Sequence, residues 1–287
     1  MVQFDYLEPA TLADALSLLQ KHGDEARPIA GGTSLIIWMR QRLLNPNVIV
    51  SLAKIPHFES VRFDPKEGLT IAAGARHRDI ELNSVIKQHY PILHETFRKI
   101  AQPRIRNMGT IGGNLCQGDP LTDPGASLMA LDATVTLQSA AAKRSMTLEE
   151  FFVDYYETAL LPGELLTQIH VSPPNPGLRW AHIKFTPRTV EDFATVGVAL
   201  AIETENGICK DLRLALNSAG PKIFRARRAE TITRGQKITA DLIHEMAETA
   251  SIEADPMEDN RGSVDYKREM VKVMVRRAAA QALQGSF

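Results

Sequence analysis

The sequence predicts a mixed helix-and-strand chain in two parts, on three observations. Strand-like apolar runs, some paired across glycine-containing turns, alternate with segments of helical spacing. The stretch SPPNPG (172–177) packs three prolines and a glycine into six residues, the composition of a linker between domains. Beyond it, a single hairpin leads into three helical segments in a row. A chain of 287 residues has ample length for two such cores.

The elements follow in order. Thr11 is placed to N-cap a first helix, with Asp14 three residues on and Leu12, Leu16 and Leu19 as its apolar stripe. PIA (28–30) reads as a short strand that stops at a glycine pair, and NVIVSL (47–52) as a buried strand. VRF (61–63) and LTIAA (69–73), joined by DPKEG, read as a hairpin. Asp79 to Ile100 has helical spacing broken at Pro91, and NMGTIGGN (107–114) reads as a second irregular glycine stretch. DPLTDPG (119–125) is a turn-rich segment, SLMALDATVTL (127–137) passes from helix to strand, and LLTQIHV (165–171) is a strand. After the linker, FATVGVALAIE (193–203), the turn ENG (205–207) and DLRLALNSA (211–219) form the hairpin; helices are expected near 223–234, 239–253 and 263–284.

Composition narrows the function. Lys and Arg total 33 against 34 Asp and Glu, a net charge of -1 that gives no reason to expect nucleic acid or an anionic membrane as partner. No apolar run reaches transmembrane length, and the start, MVQFDYLEP, carries no signal-peptide pattern. A cytoplasmic protein without integral membrane contact is expected. Two distant cysteines, Cys116 and Cys209, exclude a disulfide framework and any four-cysteine metal site built by this chain alone. The histidines show no HExxH or other tight metal spacing; His77, His89 and His94 read as packing or surface groups, so no metal ligands are nominated.

The glycine stretches carry the chemistry. In RPIAGGTSLI (27–36) the strand ends at Gly31-Gly32 and two hydroxyl residues, Thr33 and Ser34, follow. A glycine pair presents backbone N–H groups with no side chain in front of them, a concavity suited to an anionic oxygen. The same mixture recurs in Thr110-Ile111-Gly112-Gly113-Asn114, with Asp119 and Asp123 close behind. Two such nests together would suit a diphosphate. Neither the P-loop pattern GxxxxGK[ST] nor a strand-turn-helix GxGxxG is present, so on the residues alone the reading stops at a diphosphate binder.

AGGTSLI followed by TIGGNLCQGDPLTDPGASLMALDATVTL resembles the FAD-binding medium subunit of molybdenum hydroxylases, the group that includes carbon monoxide dehydrogenase medium subunits and the xanthine dehydrogenase flavin domain. FDYLEPATLADALSLL, ETALLPGELLTQIHV, KFTPRTVEDFATVGVAL and YKREMVKVMVRRA extend the resemblance over nearly the whole chain. It implies an α+β fold: a two-lobed vanillyl-alcohol-oxidase-type FAD-binding domain over 1–174, then a small α+β domain over 175–287 with a three-stranded antiparallel sheet and a helix bundle.

The resemblance also implies roles. Ala30, Gly31, Gly32, Thr33, Ser34 and Leu35 would form the first pyrophosphate loop, behind Ile29. Thr110, Gly113 and Asn114 would form the second, with Ile100 and Ala101 flanking the flavin. Asp123 matches an acid that binds ribose or ribityl hydroxyls, Leu165 and Leu166 a contact strand, and Lys184 a lysine near the flavin ring. Cys116, without a redox role, and Asp119 complete the expected cofactor-binding set. No catalytic side chain is expected, because the cofactor carries the chemistry. The implied partners are a large molybdenum-cofactor subunit and a small subunit with two 2Fe–2S clusters, in a dimer of heterotrimers. This chain would relay their electrons through FAD to an external acceptor. The alternatives are a stand-alone FAD oxidoreductase of the same superfamily, or a cofactor-free scaffold of the same fold.

Overall fold

The computed structural model describes residues 3–283, so the first two residues of the opening segment and residue 284 of the expected last helix lie outside the described residues. The first lobe is a parallel sheet of Asp5–Leu7 (β1), Ala26–Ile29 (β2) and Val48–Ser51 (β3) in the order β1-β3-β2. All four residues of β3 are buried, as expected of a central parallel strand. Leu12–His22 (α1) covers the sheet with Ala15, Leu16 and Leu19, and Thr11 caps it by accepting a hydrogen bond from Asp14 N at 3.1 Å. Leu35–Arg40 (α2) links β2 toward β3.

The second lobe is an antiparallel sheet in the order β4-β5-β10-β6-β7, built from Val61–Asp64 (β4), Gly68–Ala72 (β5), Thr134–Gln138 (β6), Lys143–Thr147 (β7) and Leu165–Val171 (β10). Between β5 and β6 the chain forms His77–Leu82 (α3), Ser84–His89 (α4), Pro91–Phe97 (α5), Pro103–Arg106 (α6), Ile111–Cys116 (α7) and Pro124–Ala130 (α8). The segment of helical spacing from 79 to 100 breaks at Pro91 as expected and once more at Asn83, giving three helices. Asn83 stops the first and starts the second, its Oδ1 accepting hydrogen bonds from Val85 N and Ile86 N, and Pro91 opens the third at a position that needs no N–H. The second glycine stretch, expected to be irregular, is largely helical: Thr110 N-caps α7 and Gly112-Gly113 sit in its first turn. Between β7 and β10 lie Leu148–Phe151 (α9) and a small hairpin of Phe152–Asp154 (β8) and Glu157–Thr158 (β9).

After the proline-rich stretch come Leu178–Phe185 (β11), Val196–Glu205 (β12), Ile208–Asn217 (β13) and Phe224–Arg225 (β14), an antiparallel sheet in chain order. The short β14 makes the expected three-stranded sheet four-stranded. Arg227–Thr233 (α10), Ala240–Glu253 (α11) and Val264–Leu283 (α12) follow, matching the three expected helices. One face of the sheet, including Val198, Leu200 and Leu214, packs on Met246, Val271 and Val275 of the helices. The other face, with Ala199, Ala201 and Ala215, joins the core of the first two lobes. Burial on both faces explains why β12 reads as a continuous apolar run.

Candidate functional site

The two glycine segments, about eighty residues apart in sequence, meet in space. A Cβ on Gly31 would stand 1.9 Å from the Met108 carbonyl oxygen and 3.0 Å from the Gly109 Cα, so the loops touch main chain to main chain and only glycine fits. Gly32 takes φ +68°, the left-handed conformation that glycine adopts without a side-chain clash. A hydrogen bond from the Ser34 hydroxyl to Gln117 Oε1 ties the first segment to the end of α7. Thr110 Oγ1 accepts from Gly113 N at 3.2 Å and holds the second segment.

These segments wall a cavity of about 520 Å³, the size of a small-molecule site. Ile29 through Leu35 form one side, and Thr110, Gly113, Asn114 and Cys116 another. The strand β10 closes it with Leu165 and Leu166, both buried in the core as well. Its entry segment, residues 160–164, also lines the cavity and is pinned by Arg144, whose Nε and Nη2 donate to the two Glu164 carboxylate oxygens at 2.8 and 2.7 Å. The pairing with Arg144 holds the Glu164 carboxyl below its ordinary range, so it stays an anion matched by its own cation.

Other residues of the expected set stand apart from that wall. Ile100 and Ala101 are held by Arg106, whose Nη1 donates to both carbonyls at 2.7 Å while its Nε donates to Glu81 at 2.8 Å. Asp119 accepts from Leu121 N at 2.9 Å, and burial pushes its carboxyl up. Asp123 and Lys184 form a buried ion pair at 2.9 Å, with Lys184 also donating to the Lys99 carbonyl at 2.8 Å. Burial raises the Asp123 carboxyl, against the lowering effect of the Lys184 ammonium. The cation expected beside the flavin is therefore already matched by a counter-charge.

Cys116 lines the cavity as a thiol pushed up to about 12 by burial, which excludes it as a thiolate nucleophile near neutral pH. Among the described residues no group of His, Cys, Asp and Glu has a metal-binding arrangement. No helix there is long and apolar enough to cross a membrane.

Sequence reasoning missed several lining groups: Arg27, Trp38, Phe58, His77 and Gln117. Trp38 packs edge-on against Tyr156 at 5.7 Å, a pairing across 118 positions that no local pattern announces. The fit to a dinucleotide rests on the glycine-lined loops and on Asn114 Oδ1, an orphaned acceptor suited to a ligand hydroxyl. Asn114 Oδ1 and His77 Nδ1 belong to cavity-lining residues, are buried, and have no hydrogen-bond partner among the described residues. Bare main chain, hydroxyls and unpaired polar side chains suit an anionic, hydroxyl-rich ligand.

Comparison with known proteins agrees with this geometry. Residues 2–174 match the FAD binding domain in molybdopterin dehydrogenase, and residues 181–282 match the CO dehydrogenase flavoprotein C-terminal domain. The chain is 36% identical to the glyceraldehyde dehydrogenase medium chain of Sulfolobus acidocaldarius over 96% of its own length and 97% of that protein's. It is 34% identical to the carbon monoxide dehydrogenase medium chain of Afipia carboxidovorans, over 97% and 96% of the two chains. A solved carbon monoxide dehydrogenase chain from Hydrogenophaga pseudoflava superposes with a TM-score of 0.95 at 31% identity, covering 99% of each chain. Two glycine segments brought into contact around a cavity, in a chain with these likenesses, place it in the family of FAD-binding medium subunits of molybdenum hydroxylases.

Proposed function

We propose that this chain is the electron-transfer subunit of a molybdenum hydroxylase complex, taking electrons from 2Fe–2S clusters of a small subunit and passing them to an external acceptor. The observation that carries the reading is the contact of Gly31 with the Met108–Gly109 main chain, which assembles one anion cradle from two distant segments. When bound, FAD supplies the redox chemistry that no side chain in the cavity can perform. The chain's own part is to bind and orient. Gly31, Gly32, Thr33 and Ser34 with Thr110, Gly113 and Asn114 would cradle the diphosphate, and Ile29, Ala30, Leu35, Cys116, Leu165 and Leu166 would exclude water around the rest.

Asp123 and Lys184 enter this reading as a pair, so any field they exert on the flavin is that of a short dipole. Asp119, Ile100 and Ala101 enter the reading only as residues beside the cavity, the last two held by Arg106. We place the domain boundary at the 172–177 linker, giving 1–174 and 175–287; the two family matches, ending at 174 and beginning at 181, support it. A dimer of heterotrimers with large and small subunits is the assembly we expect, in the cytoplasm, where the two free cysteines stay reduced.

Isolation from the native host tests this. The chain should copurify with a large and a small subunit, carry FAD, and have its flavin reduced by substrate of the large subunit. A chain that isolates alone with FAD and turns over its own substrate would favour the stand-alone oxidoreductase. One that isolates without FAD would overturn both in favour of the scaffold.

A further inference from the structure

We propose that His77, as a neutral imidazole carrying its proton on Nε2, donates a hydrogen bond to the diphosphate of the bound dinucleotide; this rests on the reading of the cavity as an FAD site. The ring sits where the two glycine segments meet. His77 N donates to the Gly109 carbonyl at 2.9 Å, and Arg76 beside it bridges to Thr110. A Cβ on Gly109 would stand 3.0 Å from His77 Cδ2 and 3.4 Å from Nε2, so the ring lies against the very segment that abuts Gly31. The residue is only 3% exposed, yet it lines the cavity together with Gly31, Gly32, Thr110 and Gly113.

The two ring nitrogens are unequal. Nδ1 is sealed from solvent with no partner among the described residues, whereas Nε2 is not sealed in this way. A proton on Nδ1 would be an orphaned buried donor; a proton on Nε2 leaves only a bare lone pair in the interior and presents a donor to the cavity. The surroundings keep the ring uncharged. Burial, and then the Arg106 guanidinium, push it down to about 4. Glu81, on the same helix, is taken up by Arg106 and Arg78 at 2.8 Å each, and Phe97 packs on the ring at 5.5 Å. The ring thus adds a fixed donor, without a charge that would need compensation in the empty site.

The test compares FAD and ADP binding to the full chain with His77→Phe and His77→Gln, following flavin fluorescence and competition by ADP. His77→Phe should weaken both ligands by roughly tenfold or more, the effect of losing a hydrogen bond to a charged group. His77→Gln, whose amide can reach the Nε2 position, should stay within a few-fold of wild type. Equal FAD affinity in wild type and His77→Phe overturns the proposal. So does a loss confined to FAD, which would put the ring on the flavin instead. Failure of the wild-type chain to bind FAD overturns the underlying site reading. Should His77→Phe not fold, imidazole nitrogen-15 shifts of the wild-type complex decide: a proton on Nε2 alone is expected, and one on Nδ1 or on both nitrogens overturns it.

Discussion

At the scale of single residues, the cavity edge distinguishes glycines by what stands in front of them. A Cβ on Gly31 would stand 1.9 Å from the Met108 carbonyl oxygen, so Gly31→Ala must push the two loops apart, and both FAD content and the melting temperature should fall. A Cβ on Gly113 would meet only Thr110 Oγ1, at 3.0 Å, so Gly113→Val should keep the fold and lose FAD; undiminished flavin absorbance in purified Gly113→Val would contradict the cradle. Gly32→Val should lose FAD too, with a further backbone cost of about 1–2 kcal/mol for its positive φ. The Asp123–Lys184 pair offers a separate measurement. Lys184→Met leaves a buried carboxylate without its cation and should cost on the order of 3–5 kcal/mol in denaturant unfolding. Adding Asp123→Leu should restore most of that loss, because a buried pair replaced as a whole is close to neutral.

Elements were legible in the sequence where one physical signal dominated. α1 announced itself by its cap and stripe, and β12 and β13 by an apolar hairpin around a glycine turn. β11 was not read as a strand by pattern, because His182 and Lys184 sit on its inward face and break the apolar alternation there. β14 has two residues, too few for any period. The glycine segments were legible as loops of bare main chain, yet their meeting depends on α6 and α7, whose short turns reveal no pairing to the sequence. His77 lies in the cavity wall, a place set by the same long-range meeting and not by its local spacing. Arg106 shows how the surrounding elements hold their positions: from α6 it binds α3 through Glu81 and fixes the turn after α5 through two carbonyls. Arg106→Leu should therefore destabilise the chain by several kcal/mol, the penalty for stranding two carbonyl oxygens and leaving buried Glu81 to Arg78 alone, readable as a fall in the denaturation midpoint.

For the whole molecule, two buried histidines contribute to the response to acid. His77 is held down to about 4, and His182 to about 3, by burial first and then by nearby cations. Both rings stay neutral in the folded chain but bind protons near 6.5 once unfolded, so the unfolded state takes up more protons between those values. Stability present above about pH 6.5 is lost as pH falls toward 4 and then 3. Each ring contributes a slope of about 1.4 kcal/mol per pH unit. Asp123, raised by burial, pulls the other way above its usual value of 3.8. His182→Phe should flatten the acid limb of a stability–pH curve, and an unchanged slope would show that this ring titrates normally.

The contact between Gly31 and Met108 has a mechanical consequence. One loop hangs from a parallel sheet and the other from an antiparallel one, so a dinucleotide seated across them would act as a clasp between two separately built halves. Removing it should loosen that seam first, seen as faster amide exchange at residues 30–34 and 108–113 while the strands behind them stay protected.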